Sequence, residues 1–409
     1  METIKQENLL SMDISTAFTQ ISYRVDGMEE PISHEEREGD FCIPNILFYG
    51  EKTKKWYAGY KALKKQEEEE GVLVKDWEQM WKKEEKVVIQ KEIYKVKTLF
   101  VKLLALHIKN LDIGNQFARI VVTSDDKELL FEEMEGMLKE ELKTREFLFY
   151  RISHKTAFTA FALHQEECSG VRNVGLFEYY GDEIRYQYLG RTPAGDMLQV
   201  QTFSLSEELE RTKGEDKDEK FATMAVNIFY RHKTPIVYLT GNGFEGDWME
   251  KTLKVLCHNR RAFVGQNLFT KGAFYFAVEE GEKRNPKLLA QGLCLYDIGL
   301  AVTIKGQQSF ASILGGGCDW YGRKTSAQMM LEEGKQIEVI YQNLRTKELE
   351  KEIMELHGMP KRPPMTTKIE MEIAYTSDCE GYIKIKDLGF GELYPSSHQI
   401  WVRKFSLDS

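Results

Sequence analysis

The sequence predicts an α/β protein built on largely parallel sheets, followed by an antiparallel β-rich domain. Three observations carry this. Short apolar strands alternate with amphipathic helices from Met12 to about Glu282, the pattern of βαβ units. Beyond Lys283 helix-periodic segments become rare and two-residue alternation takes over, as in "TKIEMEIAY". The length of 409 residues also exceeds what one hydrophobic core normally serves. Two domains, 1–282 and 283–409, follow, with the boundary in Glu282–Pro286.

The elements are read in chain order. Met12 to Val25 is strand, turn and strand, because β-branched and aromatic residues flank Ser15, Thr16 and Ala17. "CIPNILFYG" is a short strand ending at Gly50, and the charge run Lys64–Glu70 is a solvated face. "KEIYKVKTLFVKLLALHIKNL" is a helix by period, with Ile93, Val96, Leu99, Leu103, Leu106 and Leu111 near one stripe. His107, set among them, reads as a packed core histidine. "FARIVVTSD" is a buried-sheet strand. The helix "DKELLFEEMEGMLKEEL", the strand "EFLFYRIS" and the helix "HKTAFTAFALHQ" come next.

A second cycle opens with "NVGLFEYYGDEIRYQYL", a β-hairpin turning at Gly181 and Asp182. "ERTKGEDKDEK" reads as a mobile loop before the helix "FATMAVNIFYRH". "TPIVYLTGNGFEGDWMEKTLKVL" runs from strand through glycine turn to helix, and "AFVGQNLFTKGAFYFAVEE" is strand then helix. In the last domain Ile369, Met371, Ile373 and Tyr375 share one face, and Ile337, Val339 and Tyr341 another. Half-exposed antiparallel strands of this kind form a β-sandwich.

Composition narrows the function classes. With 65 acidic against 56 basic residues and a net charge of -9, broad affinity for nucleic acid or an anionic membrane surface is not expected. No apolar run is long enough to cross a bilayer, and Glu2, Lys5 and Glu7 interrupt the place of a signal-peptide core. A soluble cytoplasmic protein is the expectation. Cys42, Cys168, Cys257, Cys294, Cys318 and Cys379 are widely spaced, with neither zinc spacing nor a disulfide framework, so reduced thiols are expected. "GGGCDWYGRKTS" is not a P-loop, since Arg323 separates Gly322 from Lys324; a surface loop is expected.

The order of elements resembles the superfamily of actin, sugar kinases and DnaK-type (Hsp70) chaperones. The first phosphate hairpin of that superfamily reads D-[IL]-G-[ST]-x-x-[ST], and Asp13-Ile14-Ser15-Thr16-Ala17-Phe18-Thr19 stands in its place, with Ser15 for the glycine. "FEYYGDEI" stands in the place of the second hairpin, F-D-[LI]-G-G-G-T, so that Glu178 replaces the metal-holding aspartate and Gly181 alone survives of the glycines. "IVYLTGNGFEGDWMEKTL" is similar to the adenosine segment, with Gly241 and Gly243 at the turn. "FTKGAFYFA" is similar to a closing helix whose small residues permit close packing. "KRPPMTTKIEMEIAYTSDCEGYIKIKDLGFGEL" is similar to the strand pair of the chaperone substrate-binding sandwich.

The resemblance implies a two-lobed, actin-like (ribonuclease H-like) ATPase fold followed by a sandwich without a helical lid. It implies ATP or ADP with magnesium, held by Asp13, Ser15, Thr16, Glu178, Gly181, Gly241 and Gly243, the ion reached by Asp13 and Glu178 through waters. A phosphate cradle needs bare backbone, and Ser15, Tyr179 and Tyr180 put side chains there. The longer Glu178 side chain also displaces the oxygens of a site that demands near-octahedral geometry. The glutamate that positions the attacking water in the chaperones has Ser153 or His154 at its place, no catalytic lysine is assigned, and Arg191–Pro235 is shorter than the adenine wall of that family. Two readings stay open. One is a nucleotide-responsive switch controlling peptide or protein binding by the last domain. The other is a non-catalytic actin-fold scaffold, or pseudo-ATPase, with a sugar kinase ranked third. Trp320, Tyr321 and Phe390 are read as core residues rather than a peptide-binding rim.

Overall fold

The structure is a computed structural model, and it describes residues 7–408 except 26–27, 29, 38, 115–116, 145, 169–172, 208–215, 282–283, 305–306 and 333–334. The protein is mixed α/β and divides into two compact units. The first comprises Met1–Leu189 and Thr202–Asn285, the second Gly190–Gln201 and Pro286–Ser409. Part of the expected boundary, Glu282 and Lys283, lies outside the described residues, as does the 210–215 part of the stretch read as a mobile loop.

The first unit repeats one topology. Its first half contains β1 (Leu9–Ile14), β2 (Phe18–Arg24), β3 (Ile32–Ser33), α1 (Val96–Asn110), β4 (Arg119–Ser124), α2 (Met134–Leu142), β5 (Leu148–Ser153) and α3 (His154–His164). The sheet order is β5-β4-β1-β2-β3, with β4 and β5 parallel in succession to β1 and β2 antiparallel to it. Every residue of β1 is buried, as a strand covered on both faces requires.

The second half contains β6 (Val174–Tyr180), β7 (Glu183–Arg191), β8 (Leu198–Ser204), α4 (Lys217–Arg231), β9 (Ile236–Thr240), α5 (Glu250–Leu256), β10 (Arg261–Val264) and α6 (Leu268–Gly281), the last two residues of β7 and the first four of β8 falling in the second unit. Its order, β10-β9-β6-β7-β8, repeats the first. Here too β9 and β10 run parallel and β7 antiparallel. Local chemistry sets the helix starts. Asp216 caps α4 by accepting from Asp218 N, and Asp218 and Glu219 place acidic charge in its first turn. Ser153 does the same for α3 through Thr156 N.

The two halves interlock through α3 and α6. A Cβ on Gly272 would lie 2.0 Å from Ala157 O, so only glycine allows the helices this approach. Ser11 Oγ donates to Thr270 O at 2.7 Å and Ser22 Oγ to Thr270 Oγ1 at 2.8 Å, which fixes α6 over β1 and β2.

Between β3 and α1 the chain differs from the sequence reading. The polar segment after Gly50 folds into a small sheet of Leu47–Gly50, Trp56–Ala58 and Gly71–Val74 with a helix at Tyr60–Glu68. The long helix expected from Lys91 begins only at Val96. Residues Glu92–Lys95 pair with Lys86–Ile89 as a hairpin, leaving Ile93 67% exposed. A β-branched isoleucine followed by an aromatic fits a strand as well as a helix stripe. The expected helix at 126–142 is likewise shortened to α2 after a 3-10 turn at Lys127–Leu129.

The second unit is antiparallel in its main sheets. Its strands are β11 (Tyr296–Ile304), β12 (Gln307–Leu314), β13 (Lys324–Leu331), β14 (Gln336–Asn343), β15 (Leu349–Glu355), β16 (Thr367–Tyr375), β17 (Glu380–Gly389) and β18 (Ile400–Ser406). They form two four-stranded sheets, β12-β11-β14-β15 and β13-β16-β17-β18, which share one core. Ile298, Leu300, Ile337 and Val339 of one sheet meet Ile369, Met371, Ile373, Ile383 and Ile385 of the other there. Trp320 packs against this core, whereas Phe390, expected inside, is 50% exposed. Phe390 closes an isolated bridge with Tyr394 just past the end of β17, beyond the alternating strand that would have buried it. Among the described residues no helix is long and apolar enough to cross a membrane.

Candidate functional site

Asp13 is the penultimate residue of the buried β1, opposite Gln20 of β2 and Thr123 of β4, so the three side chains share one face of the sheet. Its carboxylate is nearly sealed from solvent, and Oδ1 lies 2.7 Å from His154 Nε2. His154 is the first residue of α3, which starts directly where β5 ends. Its ring stacks on Phe269 of α6 with centroids 3.7 Å apart and planes 10° apart. Burial disfavours the imidazolium, but Asp13, with Glu178 and Asp125 farther off, outweighs it and holds the His154 pKa above its ordinary value. Asp13 and His154 are thus joined by a direct carboxylate–imidazole hydrogen bond in which Asp13 favours the charged form of the ring.

The turn after Asp13 is closed by its own residues. Ser15 Oγ accepts from Ala17 N at 3.2 Å and Phe18 N at 3.0 Å, while Ser15 N donates to Phe18 O. Ser15, expected in the place of a cradle glycine, thus takes up the amides of its own turn. Thr16 is half-buried at the tip. Asn45 clamps the hairpin from outside: Nδ2 donates to Ser15 O at 2.7 Å, Oδ1 accepts from Thr19 Oγ1 at 2.8 Å, and its amide N donates to Ala17 O. His107 stands 3.3 Å from Asn45 Oδ1, fully buried, with burial pushing its pKa down to about 3.

In the second hairpin Glu178 points into the protein, 1% exposed, and Oε1 accepts from Gln187 Nε2 at 2.6 Å. Burial raises its pKa, against the pull of Arg185 and His154. Glu178 Oε2, Gln187 Oε1, Thr123 Oγ1 and His154 Nδ1 are buried with no hydrogen-bond partner. Arg185, opposite Glu178 in register, reaches Asp125 just beyond β4 at 2.6 Å. Tyr180 stacks on Phe18, centroids 6.5 Å apart, so the two hairpins meet ring to ring.

Tyr179 turns the other way, into the core with Phe221, Phe244 and Trp248. The glycines expected to admit adenosine serve this tyrosine. A Cβ on Gly243 would stand 2.2 Å from the Tyr179 ring, and one on Gly241, at φ +109°, 2.2 Å from Tyr179 O. Lys217 covers the Tyr179 and Trp248 rings, and both Lys217 Nζ and Trp248 Nε1 donate to Gly243 O. Gly181 is needed only for its turn, at φ +58° with open space where a Cβ would be; its N–H donates to Asn242 Oδ1.

The structure thus gathers Asp13, Ser15 and Thr16 at one hairpin and Glu178 and Gly181 at the facing one, with Gly241 and Gly243 behind Tyr179. In this arrangement they do not fit a magnesium nucleotide. Asp13 is paired, the turn amides are used, Phe18 meets Tyr180, and the glycine turn is filled. Among the described residues no group of three or more His, Cys, Asp or Glu could hold a metal ion. Sequence reasoning missed the Asp13 partner, Arg185, Asp125 and Asn45. The signal for His154 was its place at the head of the helix after the fifth strand.

Fold and site define a duplicated α/β body whose inter-hairpin space is occupied by its own side chains. Residues 28–291 match the model described as "Family of unknown function (DUF5716) C-terminal", and the chain belongs to that family. Residues 294–407 match "Domain of unknown function (DUF8552)". No curated protein matches the chain.

Proposed function

We propose that the chain is a non-catalytic scaffold of the actin and Hsp70 type, a pseudo-ATPase whose C-terminal β-sandwich engages a protein or extended peptide. The repeated strand order, with a hairpin opening each half and a parallel pair completing it, supports an actin-like, ribonuclease H-like body. Two four-stranded sheets around one core support the sandwich. The observation that carries the loss of catalysis is the buried Asp13–His154 pair. The carboxylate that the resemblance sets facing magnesium is instead bonded to a residue at the place of the chaperones' water-positioning glutamate.

The nucleotide-responsive switch is the second reading, favoured by one observation. Four buried polar atoms around the hairpins lack partners, and displacement of His154 by a bound ligand would satisfy some of them. Calorimetric titration with ATP and a non-hydrolysable analogue, with and without Mg²⁺, separates the two. The scaffold predicts no heat at millimolar nucleotide. Micromolar, magnesium-dependent binding lost in Asp13→Ala would overturn it in favour of the switch.

A further inference from the structure

Cys294 and Cys318 are 24 positions apart in sequence yet face each other across an isolated antiparallel bridge within the second unit. Cys294 N donates to Cys318 O at 3.0 Å, and Gly317 N to Cys294 O at 2.7 Å. The glycine run before Cys318 makes this approach possible. A Cβ on Gly316 would lie 2.5 Å from Tyr296 O and 3.0 Å from Cys294 O, and Gly317 holds φ +78°. The loop is further fixed by Gly316 N on Asp297 Oδ1 and by Leu288 N on Gly317 O, both at 2.8 Å.

We infer that Cys294 and Cys318 form a reversible thiol–disulfide couple that staples the Gly315–Cys318 loop to the segment leading into β11. Directly opposed residues of an antiparallel bridge have Cα atoms about 4.5 or 5.5 Å apart, inside the range of about 4.4–6.8 Å that a disulfide spans. Their side chains leave the same face, so the bond needs no refolding. Both residues are thiols in the structure. Cys318 is part-exposed and Cys294 fully buried, which orders the chemistry. The Cys318 thiolate attacks a low-molecular-weight disulfide such as glutathione disulfide, giving a mixed disulfide and one released thiolate. The Cys294 thiolate then attacks the Cys318 sulfur and expels the second. Two protein thiols are oxidised, one disulfide is reduced to two thiols, and the two protons pass to the leaving thiolates. Burial pushes the Cys294 thiol pKa up, so the second step is the slow one and quickens as pH rises.

The full chain is incubated with glutathione disulfide, alkylated, digested and mapped by mass. The expected product is a Cys294–Cys318 cross-linked peptide that dithiothreitol reverses and Cys318→Ser abolishes, with exposed Cys257 carrying only glutathione. Closing this loop is expected to raise the Tm by roughly 5 °C in the wild type and not in Cys318→Ser. The inference is overturned if Cys257 is glutathionylated while Cys294 and Cys318 both remain alkylatable, or if either is found bonded to another cysteine of the chain. The wild-type map decides this even if a variant folds poorly.

Discussion

Replacing Asp13 by asparagine tests the ion pair at the centre of the site. At 2.7 Å and an effective dielectric constant of about 20, the gross attraction is about 6 kcal/mol, from which the desolvation of two buried charges removes several. The variant keeps the shape of the side chain, and burial then disfavours the charged form of His154, so the expected loss is about 2–4 kcal/mol near pH 6, or roughly 3–7 °C in Tm. The sign of the pH dependence follows from His154. Its folded pKa lies above the unfolded value of about 6.5, so the stabilisation is complete below that value and fades as pH rises through the folded pKa. Thermal melts of wild type and Asp13→Asn, followed upward from about pH 6, should therefore converge as pH rises through the folded pKa. The residual gap is that of a neutral hydrogen bond, about 1 kcal/mol. A gap that stays constant or widens with pH would refute the ion pair.

Two further outcomes are expected. Gly243→Ala and Gly241→Ala collide with Tyr179 at 2.2 Å and should each cost about 3 kcal/mol or more in urea unfolding. Gly181→Ala meets open space and should cost only about 1 kcal/mol for its positive φ; equal costs at the three sites would contradict this packing. Arg362 holds the buried Asp387 through two contacts of 2.8 Å, so Arg362→Met should cost about 3–5 kcal/mol by stranding the carboxylate. Although burial opposes it, this pairing and the Ser397 and Gly389 hydrogen bonds keep the Asp387 pKa below the usual carboxylate range. That stability is present above about pH 4 and is lost as pH falls toward the folded value, which acid titration of wild type against Arg362→Met measures.

What could be read from the sequence was whatever local pattern dictates. The hairpin at Ser15–Ala17, the Gly181–Asp182 turn, the strand, turn and helix around Gly241, and the two-faced strand at Ile369–Tyr375 all depend on neighbours within a few residues. The partners could not be read this way. His154 lies 141 positions from Asp13 and Asn45 lies 30 from Ser15, and no periodicity encodes such distances. Glycine was legible at positions 241 and 243, but its reason was not, because the Tyr179 ring fills the space that a ligand could equally have filled. Segments with mixed signals, such as Glu92–Lys95 before α1, went to the wrong element because a short apolar run fits both periods.

The seating of α6 on β1 and β2 through Thr270 has a consequence for synthesis. The first sheet, made before α6 on the ribosome, gains one of its covering layers only when residues Leu268–Gly281 have emerged. Until then the apolar surface of β1 and the groove at Ala157 stay open, and contacts this distant in sequence make for slow, late-closing assembly. A nascent chain stalled before α6 should therefore be sensitive to protease throughout its first half, and the last helix acts as the latch that converts the earlier elements into a folded body.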